Sequence, residues 1–213
     1  MKTFIRPMAI LLILVLVGAF GPNISLACAK FSPYPPASPG MEGEMWDVEE
    51  LLELLTLKNH PSHVTVFIRQ YILLAMEEMQ RTGIPASLTL AQAILESGYG
   101  TSALSIEALN FFGIKGSYAG ESMVYKGDRY RRYKSVRESF LDHSRLLLEK
   151  GPFQYLLKKK VWDHVIWTEA LQAIAYAEDP RYTFKILNII DRYSLQRLDS
   201  MYRPSPDCPL KRA

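Results

Sequence analysis

One carboxylate in the chain sits badly for stability and well for chemistry. The stretch LTLAQAILESGYG, residues 88–100, supplies Leu88, Leu90, Ala91, Ala93, Ile94 and Leu95 before its single acid, Glu96. Such a segment reads as a helix that is apolar nearly all round and therefore buried. A helix C-terminus carries partial negative charge and disfavours an anion. An apolar setting disfavours the ionised form as well. Both effects push the Glu96 pKa upward. A carboxyl group that keeps its proton near neutral pH can give it to a leaving oxygen, the task of the general acid in a glycosidase. Gly98 and Gly100 let the backbone turn away and open a cleft over the group. On residue types alone a second reading stays open, with Glu96 pointing into water past the last turn.

Other residues offer binding chemistry. Asn110 precedes Phe111-Phe112-Gly113, and its amide can serve an acetamido group or simply form a turn. Tyr99, Phe111, Phe112 and Tyr118 can give sugar rings an apolar platform or fill the core. The segment KGDRYRRYK, residues 126–134, interleaves basic and aromatic residues. In an exported chain this reads as a solvated hairpin, or one attracted to wall carboxylates, and no nucleic-acid partner is expected. The four histidines, His60, His63, His143 and His164, lack a spacing such as HExxH. No metal or other cofactor is expected. The two cysteines, Cys28 and Cys208, lie outside the domain and do not support a Cys-His peptidase.

These residues need elements to position them. The chain has 213 residues, 48% hydrophobic and 22% charged, with net charge +3. That is enough for one domain with a substantial core, expected as a monomer, and the total charge does not demand a polyanion. Lys2 and Arg6 precede an apolar run from Ala9 to Phe20, which suits a signal peptide over residues 1–29, cleaved after Ala27 or Ala29. An uncleaved anchor is the alternative. Cys28 raises lipidation, although Ser25 stands where such a site normally has Leu, and a Cys28–Cys208 disulfide is a further option. Residues 30–45 read as a proline-rich linker, 46–203 as the folded domain and 204–213 as a tail.

Within the domain, periodicity predicts helices over about 46–57 and 64–82, the second closed by Gly83. The apolar helix follows, with Pro85 and Ser87 at its start and Ser87 as N-cap. Residues 109–134 read as loop with one small hairpin, turning at Lys126-Gly127-Asp128. Ser135-Val136-Arg137-Glu138 is a capping box for a helix to about Glu149. Two further helices are expected over about 167–177 and 181–193, with Asp179-Pro180 as N-cap and first-turn proline. The fold class is mainly α with a small β-hairpin lobe.

Four blocks in order carry a resemblance: LAQAILESGYGTSAL at 90–104, NFFGIKG at 110–116, RYKSVRESFLDH at 132–143 and AYAEDPRYTFKI at 175–186. Together they resemble the glucosaminidase family of bacterial peptidoglycan hydrolases, glycoside hydrolase family 73, over about residues 65–197. The resemblance implies a lysozyme-like fold and hydrolysis of the β-1,4 bond after N-acetylglucosamine in wall glycan strands. It implies Glu96 as catalytic acid and Tyr176 as the tyrosine beside the scissile sugar. Family members commonly carry a second acid on a hairpin. The short connection here offers Glu121 and Asp128 as candidates, each with a plain reading as an exposed loop or turn residue. Substrates with an acetamido group can also supply their own nucleophile. Cleavage at N-acetylmuramic acid, an amidase-type bond, and a non-catalytic peptidoglycan-binding role remain alternatives. An exported location, periplasmic or extracellular, follows, with membrane association only through a lipidated Cys28.

Overall fold

The structure is a computed structural model and describes residues 46–174 and 179–202. The expected signal peptide, linker and tail, both cysteines and Tyr176 lie outside the described residues. The elements run α1 (Val48–Glu53), α2 (Ser62–Thr82), α3 (Ala86–Ser97), α4 (Ala103–Glu107), β1 (Ser122–Tyr125), β2 (Asp128–Arg131), α5 (Val136–Leu148), α6 (Gly151–Lys158), α7 (His164–Ala173), α8 (Tyr182–Tyr193) and α9 (Gln196–Asp199). The expected mainly helical fold with one hairpin is what forms.

The apolar helix is the centre. Leu88, Leu90, Ala91 and Ala93 of α3 are fully buried, and so are its polar Ser87, Thr89, Gln92 and Ser97. It packs against α2, α7, α8 and α9. The core continues through Ile68, Ile72 and Met76 of α2, Phe140 of α5, Trp167 of α7 and Ile186 and Ile190 of α8. Such all-round burial is what the unbroken apolar composition of α3 requires.

Local capping sets several boundaries as expected. Gly83 takes the left-handed conformation, φ 78°, and returns its N–H to Met79. Ser135 accepts from the Glu138 N–H, while the Glu138 carboxylate accepts from the Lys134 N–H. The hairpin pairs Ser122 with Arg131 and Tyr125 with Asp128. Its turn is Lys126-Gly127, both at positive φ (51° and 89°), and Asp128 already opens β2. Consecutive left-handed residues match the right-handed twist of a two-residue hairpin.

Three expectations need correction. Ser87 does not cap α3, because the helix starts at Ala86 with Pro85 in the cap position. Asp199 of α9 does that work from afar, accepting from the Ser87 N–H at 2.9 Å and the Ser87 hydroxyl at 2.6 Å. Asp179 does not occupy the cap position of α8, which falls on Arg181. Its Oδ1 instead accepts the Arg181 N–H from two residues outside, at 2.9 Å. The short helices α4, α6 and α9 were missed, and α4 and α9, with five and four residues, have too few turns to show a period.

Candidate active site

Glu96 stands in the last turn of α3. The backbone then leaves the helix through three left-handed residues, Gly98, Tyr99 and Gly100, with φ of 57°, 57° and 75°. Only glycine enters this region freely, so Tyr99 is held there by its surroundings. Ser97 fastens the turn. Its hydroxyl donates to the Ala93 carbonyl at 2.5 Å and accepts from the Gly100 N–H at 2.8 Å. The Tyr99 hydroxyl meets that of Tyr193 at 2.8 Å.

The carboxyl group of Glu96 is held above the usual carboxylate range, chiefly by burial. A hydrogen bond from Tyr182 and the positive charge of Lys185 oppose that rise without cancelling it. Both partners belong to α8. Gln92, one turn before Glu96, donates its Nε2 to the Tyr182 hydroxyl at 3.0 Å. Lys185 is itself tethered to Asp179 at 2.5 Å. The arrangement favours a protonated carboxyl group while keeping a donor and a cation ready for the anion it leaves behind.

The remaining expected site residues divide. Tyr99 is half-buried and lines a groove of about 360 Å³ with His63, Phe67, Gln70, Tyr71 and Gly100. Burial and the Tyr193 contact push its phenol up to about 12. Tyr118 is half-buried and packs on Tyr133, with ring centres 4.9 Å apart. Asn110 is 1% exposed, and its amide is spent on the backbone. It donates to the Ile114 and Arg131 carbonyls and accepts from the Ile114 N–H. The reading of Asn110 as an acetamido ligand therefore gives way to one as a loop lock. Phe112 is likewise buried, stacked on His143 at 3.9 Å, and Phe111 lies in the core. Neither offers a face to a sugar.

The two hairpin acids lie in water. Glu121 is exposed beside the tight Tyr118–Glu121 bridge. Asp128 is exposed and pairs with Lys115 at 2.8 Å. The hairpin base is fixed to α5, where the buried Asp142 accepts from Arg131 at 2.6 Å and from the Tyr133 hydroxyl at 2.7 Å. Part of the basic segment is thus committed to structure. Among the described residues no group of three or more metal-ligating side chains comes together. Gln92, Tyr182, Lys185 and Asp199 were missed. The four-residue spacing of Gln92 and Glu96, which puts them on one helix face, was the available signal for the first.

Comparison with known proteins follows from this geometry. Residues 73–195, from mid-α2 to the end of α8, match the family model described as mannosyl-glycoprotein endo-beta-N-acetylglucosaminidase, the glucosaminidase family. The chain belongs to this family. The match spans Glu96, Tyr182 and Lys185. Among relatives, the exo-glucosaminidase LytG of Bacillus subtilis is 37% identical over 130 residues, covering 54% of this chain and 46% of that protein. A probable N-acetylmuramidase of Lactococcus lactis subsp. cremoris is 34% identical over 155 residues, covering 63% of this chain and 35% of that protein. The chain thus spans less than half the length of either. The catalytic domain of the autolysin Auto from Listeria monocytogenes is similar in structure, with TM-score 0.56 and 27% identity, covering 73% of this chain and 99% of that domain. Outside the hairpin, the glucosaminidase domain is helical, and no described helix is long and apolar enough to cross a membrane.

Proposed function

We propose that this glucosaminidase domain is an exported peptidoglycan hydrolase that cleaves the β-1,4 bond after N-acetylglucosamine, with Glu96 as general acid. The carrying observation is the half-buried Glu96 carboxyl group at the turn that ends α3, where burial raises its pKa above the usual carboxylate range. Glu96 gives its proton to the glycosidic oxygen as the bond from that oxygen to C1 breaks, and positive charge develops on the sugar ring. Water supplies the hydroxyl group that completes C1, and its remaining proton passes to a carboxylate, returning Glu96 to its protonated form. The second participant is either a hairpin carboxylate, Glu121 or Asp128, or the acetamido oxygen of the substrate. Tyr176 is assigned beside the scissile sugar, and Tyr99 and Tyr118 along the strand.

Purified peptidoglycan tests the reading. Glu96→Gln should lower digestion by ~10²–10⁴-fold. Digestion at the native rate would overturn the assignment. Glu121→Gln and Asp128→Asn separate the two accounts of the second participant. A loss of ~10²-fold in either identifies a hairpin carboxylate, and two native rates identify the acetamido group. Cleavage at N-acetylmuramic acid is the second reading, favoured by the relative named a probable N-acetylmuramidase. Mass spectrometry of the reducing ends decides between them. Export is checked by N-terminal sequencing, which should find a mature chain beginning at Cys28 or Lys30.

A further inference from the structure

Tyr182 is an unusual neighbour for a catalytic acid. It is 5% exposed, on the first residue of α8, and its hydroxyl has two partners on α3. Gln92 donates its Nε2 to the phenol oxygen at 3.0 Å. The same hydroxyl hydrogen-bonds to Glu96. A phenol has one hydrogen. With its oxygen accepting from an amide N–H, that hydrogen is left for the carboxylate.

We propose that Gln92 and Tyr182 are positioning residues for Glu96, forming a hydrogen-bond chain polarised toward its carboxyl group that orients it for proton transfer. This rests on Glu96 being the acid, and it deepens that reading.

The direction of the chain follows from satisfiability. Gln92 is fully buried, and among the described residues its Oε1 has no hydrogen-bond partner. The opposite amide orientation would give Oε1 the phenol hydrogen and leave the Glu96 anion without it. The orientation present therefore suits the anion that proton transfer leaves on Glu96, at the cost of an unpaired Oε1.

The chain acts on the form of Glu96 that exists after the proton has left. Burial alone would make Glu96 a reluctant donor. Tyr182 stabilises its anion and makes departure easier, and Lys185 adds a positive charge from the next turn of α8. Tyr182 and Lys185 are the groups that act on the Glu96 carboxyl group, and several other buried or paired charges on the packed elements are engaged elsewhere. Asp199 of α9 faces the opposite end of α3, with His164 of α7 3.9 Å away. The buried Glu78 of α2 is taken up by Arg81, and Asp179 by Lys185.

Tyr182→Phe removes the donor and keeps the ring. The alkaline limb of its activity profile should move up by about one pH unit, because the anion is less favoured. Its plateau kcat should fall about tenfold, because the acid is weaker. Gln92→Met should shift the limb in the same direction by less. A loss of packing alone would lower activity at every pH without moving the limb.

Carbon-13 titration of the glutamate side chains reads the effect directly, with the Glu96 resonance assigned by its absence in Glu96→Gln. Its midpoint should rise in Tyr182→Phe, and an unmoved midpoint overturns the proposal. Should that variant not fold, the native protein decides. The ring carbon bearing the Tyr182 hydroxyl should titrate at the Glu96 midpoint, and its failure to do so is equally fatal. If Glu96→Gln digests wall at the native rate, the catalytic reading fails, while the titration still tells whether Tyr182 governs the Glu96 proton.

Discussion

The proton proposed for catalysis at Glu96 also bears on stability. Its carboxyl group lies above the unfolded value near 4.5 because burial disfavours the anion. A group raised in this way stabilises the fold most below its unfolded pKa, and that contribution fades as pH rises through the folded value. Glu96→Gln has no anion to bury. Thermal melts should therefore show the variant matching the native protein near pH 4 and exceeding it at pH 7, while wall digestion is lost. Greater relative stability at pH 4 than at pH 7 would contradict the sign. Asn110 belongs to the same scale with the opposite outcome. Its three backbone hydrogen bonds are buried. Asn110→Ala should cost about 2–4 kcal/mol in denaturant unfolding, since it orphans the groups that Asn110 satisfies. The raised pKa of Glu96 was legible in the sequence, because an acid among leucines before glycine is unusual wherever it lies. Asn110 and Phe112 stayed open between a sugar-binding and a structural role, because burial depends on residues far along the chain. Asn110 is closed off by Arg131, and Phe112 by His143.

At the level of elements, the start of α3 is completed by another helix. Asp199 is buried among the first N–H groups of α3, and its carboxyl group is pushed up to about 7, first by burial and further by the charge of Asp163. Asp199→Ala should cost about 1–2 kcal/mol, the usual range for losing a cap. Asp199→Asn should flatten the decline in stability between about pH 4 and pH 7, where the native group holds a proton that the unfolded chain releases. Urea melts across that range measure both effects. Boundaries set by local chemistry, such as Gly83 and Ser135, were legible. The start of α3 was placed by Pro85, but the group that completes it was not legible, because that acceptor is 112 residues away. Asp179 shows the same limit on a smaller scale, since both its oxygens are engaged by residues that follow it in α8.

Across the whole domain, the segment that follows α1 closes on the end of α8 and on α9. The Thr56 N–H donates to the Tyr193 carbonyl, Thr56 and Ser194 share a hydroxyl contact at 2.8 Å, and Arg197 donates to the Leu54 carbonyl. Leu51 of α1 is 1% exposed. Leu51→Ala should cost about 2–5 kcal/mol as a buried large-to-small change. Circular dichroism and activity should be lost together in one transition, because α1 seals the same core that holds α3. Two separated transitions would show that α1 unfolds by itself.

The long reach of Asp199 also orders events in time. Ribosomes build from the amino end, so Ser87 is made 112 residues before the acceptor that completes its helix. A growing chain already contains its acid, on a helix whose first turn is still unfinished. Fragments cut short before Asp199 should be poor hydrolases even with Glu96 and Tyr182 present. Under the proposed wall-hydrolase function, late completion is a safeguard that needs no separate inhibitor.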